Sequence, residues 1–157
     1  MARELAAIED MEGIVNGLLV GLSPSGRAVL MRKVARDWRK SQSARIRAQK
    51  NPDGSTYEKR KPLKDGYEPL KNGAMFRKLR LVKYLKSGAS ANEAWVGFVG
   101  RVAAIARVHQ YGLKDRVVRL KGAPEVQYPE RVLLGLADDE REDLLDLVMS
   151  HLDAKSG

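Results

Sequence analysis

Cysteine is absent from the 157 residues, so neither a disulfide nor a thiolate metal site enters the fold, and a reducing cytoplasm suits it. Histidine is nearly absent: His109 and His151 stand far apart without neighbouring ligand side chains, so no zinc site and no metal or other cofactor is expected. Aromatic residues make up only 6%, which leaves the core to Leu, Val, Ile, Ala and Met. Long apolar runs are missing too, and none approaches the roughly 18 to 20 residues of a bilayer span. The N-terminus turns acidic at Glu9, Asp10 and Glu12, unlike a secretory leader, so neither secretion nor membrane insertion is expected.

Catalytic motifs are equally scarce. Gly97-Phe98-Val99-Gly100 has neither the third glycine nor the Lys-Ser/Thr pair of a phosphate loop. The oxygen-rich stretch from Asn51 to Glu58 lacks the alternating ligands and closing glutamate of a calcium loop, and reads as a turn. His109 and Glu58 are the residues an enzyme reading would have to use, but no acid, base or metal constellation surrounds either, so the chain is read as non-catalytic.

What the sequence has in excess is positive charge. The net charge is +9, and it is segregated: about −3 over residues 1–22, about +14 over 23–86, about +3 over 87–136 and about −5 over 137–157. A basic middle between acidic ends fits a nucleic-acid surface, or complementary faces that meet between copies in a head-to-tail ring.

The length suits a single domain over 1–157. Residues 3–21 carry apolar side chains at helical spacing. After Leu22-Ser23-Pro24-Ser25, whose serines can cap a helix, a second helix is predicted from Ser25 to about Lys50. Its buried side is Leu30, Met31, Val34, Ala35, Trp38, Ala44 and Ile46, and its other side is cationic. Asn51-Pro52-Asp53-Gly54-Ser55 is a strong turn, opening a basic, irregular loop over 51–74. Residues 75–86 read as a helical turn passing into a strand, Ser87–Asn92 as a small-residue turn and Ala94–Val99 as the returning strand of an antiparallel hairpin. A short helix over Arg101–Gln110 ends at Gly112. A second loop or irregular strand region runs from Leu113 to Tyr128, Arg131–Leu136 is a strand or a buried helix segment, and Asp138 or Asp139 caps an acidic final helix. The fold class is α+β: N-terminal helices, a small antiparallel sheet with an inserted short helix, and a C-terminal acidic helix.

Several blocks, in order, carry a resemblance: Asn51-Pro52-Asp53-Gly54 with its basic loop, Met75-Phe76-Arg77-Lys78-Leu79-Arg80, and Val96 to Gly112 with the distinctive Val108-His109-Gln110-Tyr111-Gly112. Tyr128-Pro129-Glu130-Arg131 before the acidic helix completes the pattern. Together they resemble the phage virion morphogenesis family, tail-completion proteins of temperate, contractile-tailed bacteriophages. Val132 and Glu130 depart from the usual form of the last block.

The resemblance implies a structural virion protein that closes the head-proximal end of the tail for head–tail joining, assembled in host cytoplasm. Tail symmetry makes a hexameric ring the natural guess. Its partners would be other tail and neck proteins, with DNA in the channel as a further contact. A head-side connector and a stand-alone nucleic-acid binder stay open as alternatives. The contact residues expected on the basic surface are Arg39, Lys40, Arg45, Arg47, Lys59, Arg60, Lys61 and Lys64. Asp53, Gly54, Met75, Phe76, Val108, His109, Gln110, Tyr111, Gly112, Tyr128, Pro129 and Arg131 are expected to hold the motifs together.

Overall fold

The structure, a computed structural model, describes residues 22–60, 73–117 and 120–156. The helix expected over 3–21 lies outside them. In chain order come α1 (Pro24–Arg47), β1 (Leu85–Ala89), β2 (Ala94–Phe98), α2 (Val102–Gln110), β3 (Lys114–Arg116), β4 (Glu125–Gln127) and α3 (Asp138–Ser156). The fold is α+β, as the sequence predicts; among the described residues the strands form two separate two-stranded antiparallel sheets, β1–β2 before α2 in the chain and β3–β4 after it.

Backbone contacts divide the chain into two compact units. One comprises the described parts of Met1–Ser41, Ser87–Val96 and Leu136–Gly157; the other comprises those of Gln42–Lys86 and Gly97–Gly135. In the first, Leu30 and Met31 of α1 pack with Val148 of α3, bordered by Leu22, Val34, Ala89, Ala94 and Leu152. In the second, Ile46, Tyr57, Met75, Leu79, Ala106 and Leu133 form the core, with Phe76, Phe98 and Val102 against it.

The start of α1 follows from its sequence. The Ser23 hydroxyl accepts the Gly26 N–H at 3.2 Å, the Ser23 carbonyl takes the Arg27 N–H at 2.9 Å, and Pro24 occupies the first position, where a missing donor costs nothing. The helix ends at Arg47, earlier than Lys50, because Gln49 adopts a left-handed backbone (φ 58°). Its side chain is what holds that strained turn: Nε2 donates to the Ile46 and Met75 carbonyls at 2.7 and 2.9 Å, and Oε1 accepts the Met75 N–H at 2.6 Å. Ala44, expected to be buried, is exposed; the buried stripe runs through Met31, Ala35, Gln42 and Ile46 instead.

The turn at Asn51–Ser55 forms as read. Gly54 is left-handed (φ 84°), its N–H reaches the Asn51 carbonyl at 3.0 Å, and Lys50 pairs with Thr56 across it. In the hairpin β1–β2 the returning strand starts at Ala94 as predicted, but β1 sits later, since Ser87, Gly88 and Ala89 belong to it and the turn falls at residues 90–93. Gly88 lies under the Trp95 ring, where an added Cβ would come within 2.5 Å of it; small residues here make room for an aromatic and do not mark a turn.

Leu113–Tyr128 contains a ribbon, with Lys114 opposite Gln127, Asp115 opposite Val126 and Arg116 opposite Glu125, and all six strand residues are exposed. The segment after Arg131 is neither strand nor helix. The final helix is capped at Ala137, one residue before the expected aspartates: the Ala137 carbonyl takes the Arg141 N–H at 3.0 Å, and the Glu140 carboxylate reaches back to the Ala137 N–H at 2.9 Å.

Candidate functional site

The family-like blocks converge, in the second unit, on the irregular segment Arg131–Gly135. No sheet ladder serves this backbone, yet each of its N–H groups has an acceptor, as buried polar groups require. Arg131 N–H donates to the His109 carbonyl at 2.7 Å and Val132 N–H to Asn51 Oδ1 at 2.9 Å. Leu133 and Leu134 N–H both donate to Gln110 Oε1 at 2.9 Å, and Gly135 N–H donates to Gln42 Oε1 at 3.0 Å. The carbonyls are met similarly. Gln110 Nε2 donates to Leu134 at 2.8 Å, Tyr57 Oη to Val132 at 3.4 Å, and the Arg45 guanidinium to Val132 at 3.1 Å and Leu133 at 3.4 Å.

Arg45 thus sits half-buried and turned inward, where the sequence suggested the basic exterior; it also bonds Gln42. The other cations expected on that surface differ among themselves. Lys40, Arg47, Lys59 and Arg60 are exposed and Arg39 is half-buried, while Lys61 and Lys64 lie outside the described residues. Lys40 pairs with Asp37 at 3.8 Å.

Arg131 is the centre of the constellation and is only 2% exposed. Its Nε donates to the Glu58 carbonyl at 2.8 Å, one terminal nitrogen to the Lys59 carbonyl at 3.4 Å, and the other to His109 Nδ1 at 3.1 Å. Because a guanidinium only donates, Nδ1 is an acceptor and His109 is a neutral imidazole. Burial, with Arg131 and Arg60 beside it, lowers its pKa from 6.5 to about 4. The ring lies edge-on between Phe76 and Tyr128, with centroids at 4.8 and 5.0 Å. Phe76 also meets Tyr57, whose hydroxyl burial pushes up to about 12. Arg131 therefore fixes the first residues of the basic loop against the end of α2.

The block Val108–Gly112 is the stop of α2. Gly112 is left-handed (φ 57°), its N–H meets the His109 carbonyl at 3.4 Å, and Leu113 N–H closes onto the Val108 carbonyl at 2.8 Å. A Cβ at Gly112 would lie 3.0 Å from the Glu130 nitrogen, so the last block packs directly on this turn. Met75 is buried, Val108 and Pro129 are half-buried, and Tyr111 is 60% exposed, free of the network its neighbours form. Asp53 caps its own turn, and hydrogen bonds from the Ser55 hydroxyl and N–H hold its carboxyl below the usual range.

A profile of the phage virion morphogenesis family matches residues 6–153. The chain belongs to that family. It is also 35% identical over 147 residues to tail completion protein S of Escherichia phage P2, covering 90% of this chain and 95% of that protein. No solved structure matches significantly. In this member of the phage virion morphogenesis family, Arg131 bonds His109, and Phe76 and Tyr128 flank the His109 ring.

Sequence reasoning missed Gln42 and Tyr57 and gave Asn51 only its place in the turn, yet all three complete the network. One signal was present. Gln42 follows Trp38 and precedes Ile46 by four residues, so a polar amide falls on the buried stripe of α1, where it must find partners.

Among the described residues no group of three or more His, Cys, Asp or Glu is placed to hold a metal ion. No helix among them is long and apolar enough to cross a membrane.

Proposed function

We propose that this protein completes the phage tail at its head-proximal end, as a structural ring of copies that readies the tail for head joining. The observation that carries this is the near full-length match to a tail completion protein. A ring of six would follow contractile-tail symmetry, and segregated charge suits the heterologous contacts by which a ring closes. The basic exterior of Arg39, Lys40, Arg47, Lys59 and Arg60, with Lys61 and Lys64 in the loop, faces neighbouring tail and neck proteins or the DNA in the channel. Arg45 belongs to the internal network instead. In this reading the protein acts without catalysis, and the half-buried His109 is engaged with Arg131 through Nδ1.

Electron microscopy of particles made without the protein tests the reading. Filled heads beside unjoined, unfinished tails are expected, and normal virions overturn it. A labelled copy should appear at the head–tail junction; a label on the head of tailless particles transfers the role to a head-side connector.

A second reading, stand-alone DNA binding, draws on the cations of α1. It requires tight binding that weakens steeply with salt, and a titration at two salt concentrations separates it from the first.

A further inference from the structure

Within the first unit, α1 and α3 present outward stripes of opposite sign. On α1, Arg32, Lys33, Arg36 and Lys40 follow helical spacing and all are exposed. On α3, Asp139, Glu142, Asp143 and Asp146 do the same. At 1.5 Å per residue the stripes run about 12 and about 10 Å, so they match in length as well as in number of charges. Each also includes one exposed apolar residue at the same spacing, Val29 on α1 and Met149 on α3.

Among the described residues, neither stripe is fully neutralised. Arg36 and Lys40 share Asp37, at 3.7 and 3.8 Å. Among the described residues, Arg32, Lys33, Glu142, Asp143 and Asp146 have no opposite charge within 4 Å. The α3 stripe further borders a cleft lined by Trp38, Leu144 and Leu147 together with Ser41 and the carboxylates of Asp37, Glu140 and Asp143. Such a cleft accepts the aliphatic stem of a long cationic side chain while a carboxylate meets its head.

We infer that the acidic stripe of α3 docks the cationic stripe of α1 from a second copy of this chain. One patch meets a different patch, so the contact is heterologous and continues from copy to copy until it closes. This rests on the tail-ring reading above and adds to it the faces that meet. Four like charges on each side also reject the wrong pairings, α1 on α1 and α3 on α3.

Charge reversal tests the contact. One variant carries R32E and R36E, the other E142K and D146K, all at exposed positions. Sedimentation velocity at about 50 mM and about 500 mM salt reads assembly, since exposed charges are screened at the higher value. The natural chain should assemble at low salt and dissociate at high salt. Each variant alone should associate at least tenfold more weakly, and an equimolar mixture should regain assembly, because each variant's reversed face then meets its complement. That recovery also shows both variants are folded.

A natural chain that is monomeric at low salt overturns the contact, as does either variant assembling normally or a mixture that stays dissociated. So does an R32E/R36E chain that assembles as before but loses salt-dependent DNA retention, which would give the α1 face to DNA. A monomeric chain that still restores tails in a deletion phage leaves the tail-completion reading standing. Variants that recover assembly on mixing, of a natural chain absent from virions, overturn that reading and keep the contact.

Discussion

Gln110 serves three backbone groups with one amide, and nothing else in Arg131–Gly135 replaces it. Its loss strands the Leu133 and Leu134 N–H groups and the Leu134 carbonyl. With each orphaned buried group costing about 1 to 3 kcal/mol, Gln110→Leu in this half-buried site should destabilise by about 2 to 4 kcal/mol in urea unfolding. His109 supplies a pH dependence of definite sign. Its folded pKa of about 4 lies below the ordinary 6.5, so between these values the unfolded chain holds a proton that the folded chain excludes. Its contribution is complete above about pH 6.5 and is lost as pH falls toward 4. Allowing for partial exposure, the loss from pH 7 to pH 4.5 should be about 1 to 2 kcal/mol. Denaturant midpoints across that range should show the slope, and His109→Gln should flatten it; an unchanged slope would place the titrating group elsewhere.

At the scale of elements, α1 owes its start to a local device. Ser23→Ala removes the hydroxyl that caps Gly26 and should cost about 1 kcal/mol, read as a lower unfolding midpoint. The β3–β4 ribbon is stabilised differently. A two-stranded ribbon with every strand residue exposed gains little from burial; besides backbone bonds, the Arg116–Glu125 pair at 3.8 Å and a bond from Gln127 to the Gly112 carbonyl brace it. Limited trypsin digestion should therefore cut at Lys114, Arg116 or Lys121 before any site in α1, and first cleavage within α1 would contradict this. The two hairpins also show how element reading goes astray. Small residues at 87–89 look like a turn until Trp95 is seen over Gly88, and the exposed ribbon, without apolar alternation, reads equally as a loop or an irregular strand region.

At the scale of the whole molecule, neither compact unit is continuous in sequence, and α1 and the β1–β2 hairpin contribute residues to both. We propose that the chain unfolds as one cooperative domain. Trp38 and Trp95 both lie in the first unit, so tryptophan fluorescence reports that unit, while exchange of the Leu133 and Leu134 amides reports the second. The two should give the same unfolding free energy; separate values would make the units independent domains. What the sequence by itself determined is the set of local features: α1 with its serine cap, the Asn51–Ser55 turn, the glycine stop of α2, the acidic α3, the segregation of charge and the family resemblance. Periodicity, caps and turns depend on residues a few positions apart, so they are written where they act. Only the tertiary structure decided that Arg45 turns inward, that Arg131–Gly135 runs as irregular backbone, and that Gln42 and Gln110 hold it. Those bonds join residues 93 and 23 positions apart, a separation no spacing pattern encodes, and a buried backbone without a ladder takes whatever donors and acceptors the fold brings to it.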